Sequence, residues 1–111
     1  MTQIEKAKRG EITSEVKKVA LEEGVDVETV RARVASGKIV IPANRNRKNT
    51  IVGIGKGLRT KINASIGSST DIADMIMEVE KAKVAEQHGA DTLMDLSVGG
   101  DVRGIRRAVM E

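Results

Sequence analysis

Two short stretches of this 111-residue chain hold the side chains best placed for chemistry: Asn63 and Ser65 in "KINASIG", and Met94, Asp95 and Ser97 in "ADTLMDLSVGGD". Each stretch reads as a strand. Ligands of parallel α/β folds bind at the C-terminal ends of strands, so these five residues are the candidates for ligand contact. Gly99 and Gly100, just before Asp101, suit a phosphate contact at a helix N-terminus. A second glycine run, "GIGKGL" from Gly53 to Leu58, supplies backbone of the kind that approaches an anion closely. It is not a Walker loop, because the spacing differs and the Lys-Ser/Thr pair is missing. The competing account of the strand ends is structural: Met94 and Leu96 as core, Asn63 and Asp95 as partners of loop backbone.

Metal chemistry finds few ligands. The chain has no cysteine and one histidine, His88, so it offers no disulfide, no zinc thiolate and no cluster thiolate, and a single imidazole does not build a metal site. His88 falls at a helix end, where it complements the helix dipole. Met75 and Met77 read as packing residues.

The elements that position these residues follow from pattern. "ITSEVKKVALEEG" places Val16, Val19 and Ala20 at helical spacing, with Thr13 or Ser14 as N-cap and Gly24 as stop. In "DVETVRARVASG", Asp26 caps a second helix whose Val27, Val30 and Val34 share a face, and Gly37 ends it. "KIVIPAN" is a short strand stopped by Pro42. "TKINASIG", "SSTDIADMIMEVEKAKVAEQHG" and "ADTLMDLSV" then read as strand, helix and strand, a βαβ unit that implies parallel pairing. The expected apolar stripe of its helix is Ile72, Met75, Ile76, Val79 and Ala82, with Asp71 and Asp74 in the first turn and Gly89 closing it. "DVRGIRRAVM" starts another helix, capped by Asp101.

Composition bounds the class. With 40% hydrophobic and 32% charged residues the chain reads as a soluble, cytoplasmic, globular domain. No apolar run is long enough for a bilayer, and "MTQIEKAKRGEITSE" is too charged for a signal peptide. There is no Phe, Tyr or Trp, so the core is small and aliphatic, and the parallel strands leave unpaired edges. The reading is an N-terminal segment of a longer α/β protein, unsuited to life as a compact monomer.

Between Gly37 and Thr70 there is no acidic residue, while Lys38, Arg45, Arg47, Lys48, Lys56, Arg59 and Lys61 all fall there. Together with a pI of about 9.4, this raises a rival reading as a DNA-binding module, in which Ala20, Gly24 and Val30 take the positions of a helix-turn-helix. Against it, the second helix opens with Asp26 and Glu28, which repel phosphates. A third reading is a stand-alone protein that binds a phosphorylated ligand through the basic segment.

Taken in order, "RGEITSEVKKVALEEGVDVETVRARVASGKIVIPAN", "GIGKGLRTKINASIG" and "EVEKAKVAEQHGADTLMDLSVGGD" resemble the N-terminal part of the phosphomethylpyrimidine synthases of thiamine biosynthesis. The resemblance covers nearly the whole chain. It implies a homodimeric radical S-adenosylmethionine enzyme, a carbon–carbon lyase that rearranges aminoimidazole ribotide into hydroxymethylpyrimidine phosphate. The implied fold is α/β: an N-terminal helical and strand region over residues 1–58, then the first two β/α units of a (β/α)8 barrel over 59–111. Substrate binding is implied for Asn63, Met94 and, on the same strand as Asn63, Ser65, which stands where the family commonly has a second asparagine. The family's 4Fe-4S cluster sits on a C-terminal cysteine motif, and its metal-binding histidines lie beyond residue 111. The segment alone is therefore expected to bind neither cluster nor S-adenosylmethionine and to be inactive, with no nucleic-acid or membrane partner.

Overall fold

The computed structural model describes residues 1–48 and 50–111. They form two compact units, Met1–Thr60 and Lys61–Glu111.

The first unit contains helices α1 (Gln3–Lys8), α2 (Ser14–Glu23) and α3 (Val27–Ala35), followed by strands β1 (Ile39–Val40) and β2 (Ile54–Gly55). Its helix starts are set by side-chain caps. Thr13 Oγ1 accepts from the Val16 amide and Asp26 Oδ2 from the Thr29 amide, and Gly24 closes α2 in the left-handed conformation at φ 64°. The charged opening segment, read above only for what it excludes, folds as α1 behind a capping box between Thr2 and Glu5. The bonds that Glu5 accepts from Thr2 hold its carboxyl below the usual range, and Arg31 does the same for Glu28. Burying Ala7, Val16, Val19, Ala20, Val30, Val34, Ile39 and Ile41 gives this unit an aliphatic core without one aromatic ring. Strand β2 was not legible as a strand; it pairs antiparallel with β1, Ile39 opposite Gly55 and Val40 opposite Ile54.

The second unit is β3 (Asn63–Ile66), α4 (Met75–Gln87), β4 (Thr92–Asp95) and α5 (Val102–Met110). Strands β3 and β4 pair in parallel, as the βαβ pattern requires, with α4 packed on β3 and on α5. Asp101 caps α5 through the Gly104 amide at 3.0 Å.

Helix α4 departs from the expected form in two respects. It begins at Met75 rather than near Ser69, because Asp74 Oδ1 caps the Ile76 and Met77 amides while Ser69 organises the preceding loop, accepting from the Ile72 amide at 2.9 Å. Asp71 and Ile72 therefore precede the helix. The expected apolar stripe fails with them: Ile72 is 61% exposed and Ile76 is 73% exposed. The buried positions are Ala82 and, at 2% exposure, Glu78. A carboxylate takes the inward place because it is matched: Glu78 Oε2 accepts from the Gly67 amide at 2.7 Å and Oε1 from Lys81 Nζ at 2.9 Å.

Candidate functional site

Side chains alternate across a strand, so the parallel register decides which of the candidates meet. Asn63 lies opposite Thr92 and Ser65 opposite Met94, which places all four on one face of the β3–β4 pair. That face is open. Along β3, Asn63 and Ser65 are exposed while Ala64 is half-buried and Ile66 buried, and on β4 Met94 is 48% exposed. The structure thus brings Asn63, Ser65 and Met94 together as a surface with an amide, a hydroxyl and a thioether. Among the described residues the Ser65 hydroxyl has no hydrogen-bond partner. Asn63 has one, Thr92, whose Oγ1 donates to Asn63 Oδ1 at 2.8 Å.

Asp95 and Ser97 have a different task. Asp95 Oδ1 accepts from the Ser97 amide at 2.9 Å and from Ser97 Oγ at 2.5 Å; Ser97 Oγ in turn accepts from the Ser68 amide at 3.1 Å, and Ser68 Oγ donates to the Gly99 carbonyl at 2.6 Å. With Ser68 and Ser97 both buried, this chain of bonds joins the loop after β3 to the loop after β4. For Asp95 the structural account given above holds, whereas its other half does not: Met94 and Leu96, read there as core, are both exposed, Leu96 at 55%. Asp95 Oδ2 is buried, makes no hydrogen bond among the described residues and faces the Arg106 guanidinium at 3.6 Å. At the other end of the strands, the Asp91 carboxylate accepts from the Ile62 amide at 2.8 Å. Acidic residues therefore fasten both ends of the pair. Replacing Ser97 with alanine strands the buried Ser68 amide and is expected to lower unfolding free energy by about 1–3 kcal/mol; an unchanged urea midpoint for Ser97→Ala would show that the loops are joined otherwise.

The glycines that suggested anion contacts are spoken for by the protein itself. At Gly55 (φ 146°) a Cβ would lie 2.1 Å from the Lys38 carbonyl oxygen, and at Gly53 it would lie 2.5 Å from Val19. Gly57 sits against the Arg33 guanidinium, which donates to the Lys56 carbonyl at 3.1 Å. At Gly99 a Cβ would fall 2.0 Å from the Ser69 carbonyl oxygen. Close packing accounts for the glycine at positions 53, 55 and 99, and the left-handed backbone (φ 82°) for Gly57.

The helix-turn-helix candidates are core and turn residues: Ala20 and Val30 are buried and Gly24 makes the left-handed stop. Arg31, on the second helix of that pair, is engaged by Glu28 and donates to the Ala7 carbonyl at 2.6 Å. His88 is the exposed residue that ends α4, and Met77 borders a groove of about 440 Å³ between α4 and β3. Among the described residues no group of three or more His, Cys, Asp or Glu is arranged to hold a metal, and no helix is long and apolar enough to cross a membrane.

A sequence profile of the radical SAM ThiC family matches residues 2–111. The chain belongs to this family. Among its relatives, a phosphomethylpyrimidine synthase 1 of Methanothermobacter thermautotrophicus is 59% identical and a phosphomethylpyrimidine synthase 2 of Methanosphaera stadtmanae 57% identical, each over the whole of this chain and 26% of the relative. A 5-hydroxybenzimidazole synthase of Geobacter metallireducens is 60% identical over 98% of this chain and 25% of its own length. The chain thus spans about a quarter of the length of the curated relatives it matches. Within the radical SAM ThiC family, two activity names occur at the same level of identity to this segment.

Proposed function

We propose that this chain supplies part of the substrate-binding surface of a phosphomethylpyrimidine synthase, the enzyme that rearranges aminoimidazole ribotide into hydroxymethylpyrimidine phosphate by radical carbon–carbon bond chemistry. The observation that carries this reading is the gathering of Asn63, Ser65 and Met94, all exposed, on one face of a parallel strand pair. On this reading β3–α4 and β4–α5 are the first two β/α units of a (β/α)8 barrel whose lumen that face lines, within a cytoplasmic homodimer; parallel pairing with helices following each strand supports it. S-adenosylmethionine and a 4Fe-4S cluster supply the radical in such enzymes. The donor set here does not fit the cluster: with no cysteine and a single histidine, the chain offers no thiolate for iron.

The relative named 5-hydroxybenzimidazole synthase supports a second reading, in which the same surface serves that product. One experiment separates them. The full-length protein carrying this segment, reconstituted with iron and sulfide and given aminoimidazole ribotide, S-adenosylmethionine and a reductant, is expected to form hydroxymethylpyrimidine phosphate. Formation of 5-hydroxybenzimidazole would select the second reading; neither product would sink both. The 111-residue chain treated identically is expected to show no iron–sulfur absorption band and no 5'-deoxyadenosine.

A further inference from the structure

We propose that Thr92 is a positioning residue that anchors the Asn63 amide on the ligand-facing side of the strand pair. The inference rests on the reading of the β3–β4 face as substrate-binding and extends it to a residue that does not touch the substrate. The parallel register sets Thr92 directly opposite Asn63, and Thr92 Oγ1 donates to Asn63 Oδ1 at 2.8 Å. An amide carries an acceptor on one side and two donors on the other, and rotation by half a turn exchanges them. A threonine hydroxyl pairs with either side, so the bond fixes where the Asn63 amide sits rather than which edge it shows, and the Nδ2 hydrogens have no protein partner among the described residues. Asn63 lies on the same face as the Ser65 hydroxyl and the Met94 thioether, which are two register positions further along the strands.

Preorganisation follows from that geometry. The face offers a ligand an amide already in place, able to meet phosphate oxygens, ribose hydroxyls or a ring nitrogen. Threonine suits the task because its β-branched side chain has few χ1 choices, so the hydroxyl stays where the amide oxygen needs it. Losing the hydroxyl frees the Asn63 side chain to leave that position, so that ligand binding must order it again.

The test uses the full-length protein, with ribotide affinity measured by calorimetry and turnover measured at saturating ribotide. Thr92→Val keeps the shape and the strand preference, and Thr92→Ser keeps the hydroxyl. Thr92→Val is expected to weaken ribotide binding about three- to tenfold, the worth of one net hydrogen bond, with kcat and melting temperature near those of the parent, while Thr92→Ser binds nearly as the parent does. In an Asn63→Ala background the Thr92→Val penalty is expected to vanish. Equal binding by Thr92→Val and parent, equal losses in the valine and serine variants, or a penalty that persists without Asn63 would each overturn the proposal. If Asn63→Ala alone leaves affinity unchanged, the substrate-binding reading falls and the proposal with it. If Asn63→Ala weakens binding and Thr92→Val does not, the positioning role alone falls.

Discussion

Asn63→Ala in the full-length protein is expected to weaken use of aminoimidazole ribotide by on the order of 10- to 100-fold, the usual loss when a hydrogen bond to a charged or strongly polar group is removed. Met94→Ala is expected to cost roughly tenfold, since truncating the thioether removes apolar contact worth about 1–2 kcal/mol when covered by a ligand. The two residues occupy neighbouring cross-strand pairs on the open face of β3–β4. Met77 provides the control. It lies on α4 beside the groove against β3 and is partly exposed, so Met77→Ala should leave kcat/KM within about twofold of the parent, as surface changes usually do. Parallel losses in all three variants would mean that the chemistry does not distinguish the sheet face from the helix, and the site assignment would be withdrawn.

The second large effect concerns folding. Gly99→Ala is expected to destabilise the protein by about 3 kcal/mol or more. Its Cβ would stand 2.0 Å from the Ser69 carbonyl oxygen and 2.7 Å from the carbonyl carbon, and both atoms belong to backbone that Ser68 and Ser97 hold in place. The loops would have to part, exposing the buried serines. Gly89→Ala is the comparison: at φ 85° it carries the left-handed strain of about 1–2 kcal/mol but meets nothing within 4 Å. Denaturant titration of both variants separates strain from collision. Similar losses would show that close approach at Gly99 contributes nothing beyond backbone conformation.

Local signals carried much of the architecture. Thr13, Asp26 and Asp101 cap helices because an oxygen on a short side chain reaches the orphan amides of the first turn, a rule that acts within three residues of sequence. The same holds for Gly24 at the end of α2. What depends on partners far along the chain was illegible. Strand β2 exists only through its pairing with β1, and Glu78 is inward only because the Gly67 amide waits there. Read as a pattern, Glu78 is a polar break between Met75 and Ala82, and the apolar residues around it were assigned to the buried stripe in its place. Asn63, Ser65 and Met94 were singled out by strand position and by resemblance. Thr92 was passed over because nothing in "ADTLMDLSV" marks it until the register sets it across from Asn63. The glycines were ambiguous for the opposite reason: a glycine needed to admit a ligand and one needed to admit a carbonyl of the same chain, as at Gly55 and Gly99, are identical in sequence. Only coordinates distinguish Lys38 or Ser69 from a phosphate.

The buried Glu78 carboxylate gives α4 a single seat. A helix held by methyl groups alone can turn about its axis or advance along it and still cover apolar surface, since burial has no direction. One carboxylate matched to one amide removes that freedom. Sliding α4 by one turn would carry Glu78 about 5.4 Å from the Gly67 nitrogen, leaving that amide without an acceptor and the inward carboxylate with only Lys81, which moves with the helix, as its partner. Each misplaced docking is thus penalised more heavily than the correct one is rewarded, so the pair acts as a key that rejects near fits. In a unit whose buried aliphatic residues are as few and as small as Ile66, Ala82 and Ile105, shape alone discriminates poorly among packings. The choice among them is made by charge.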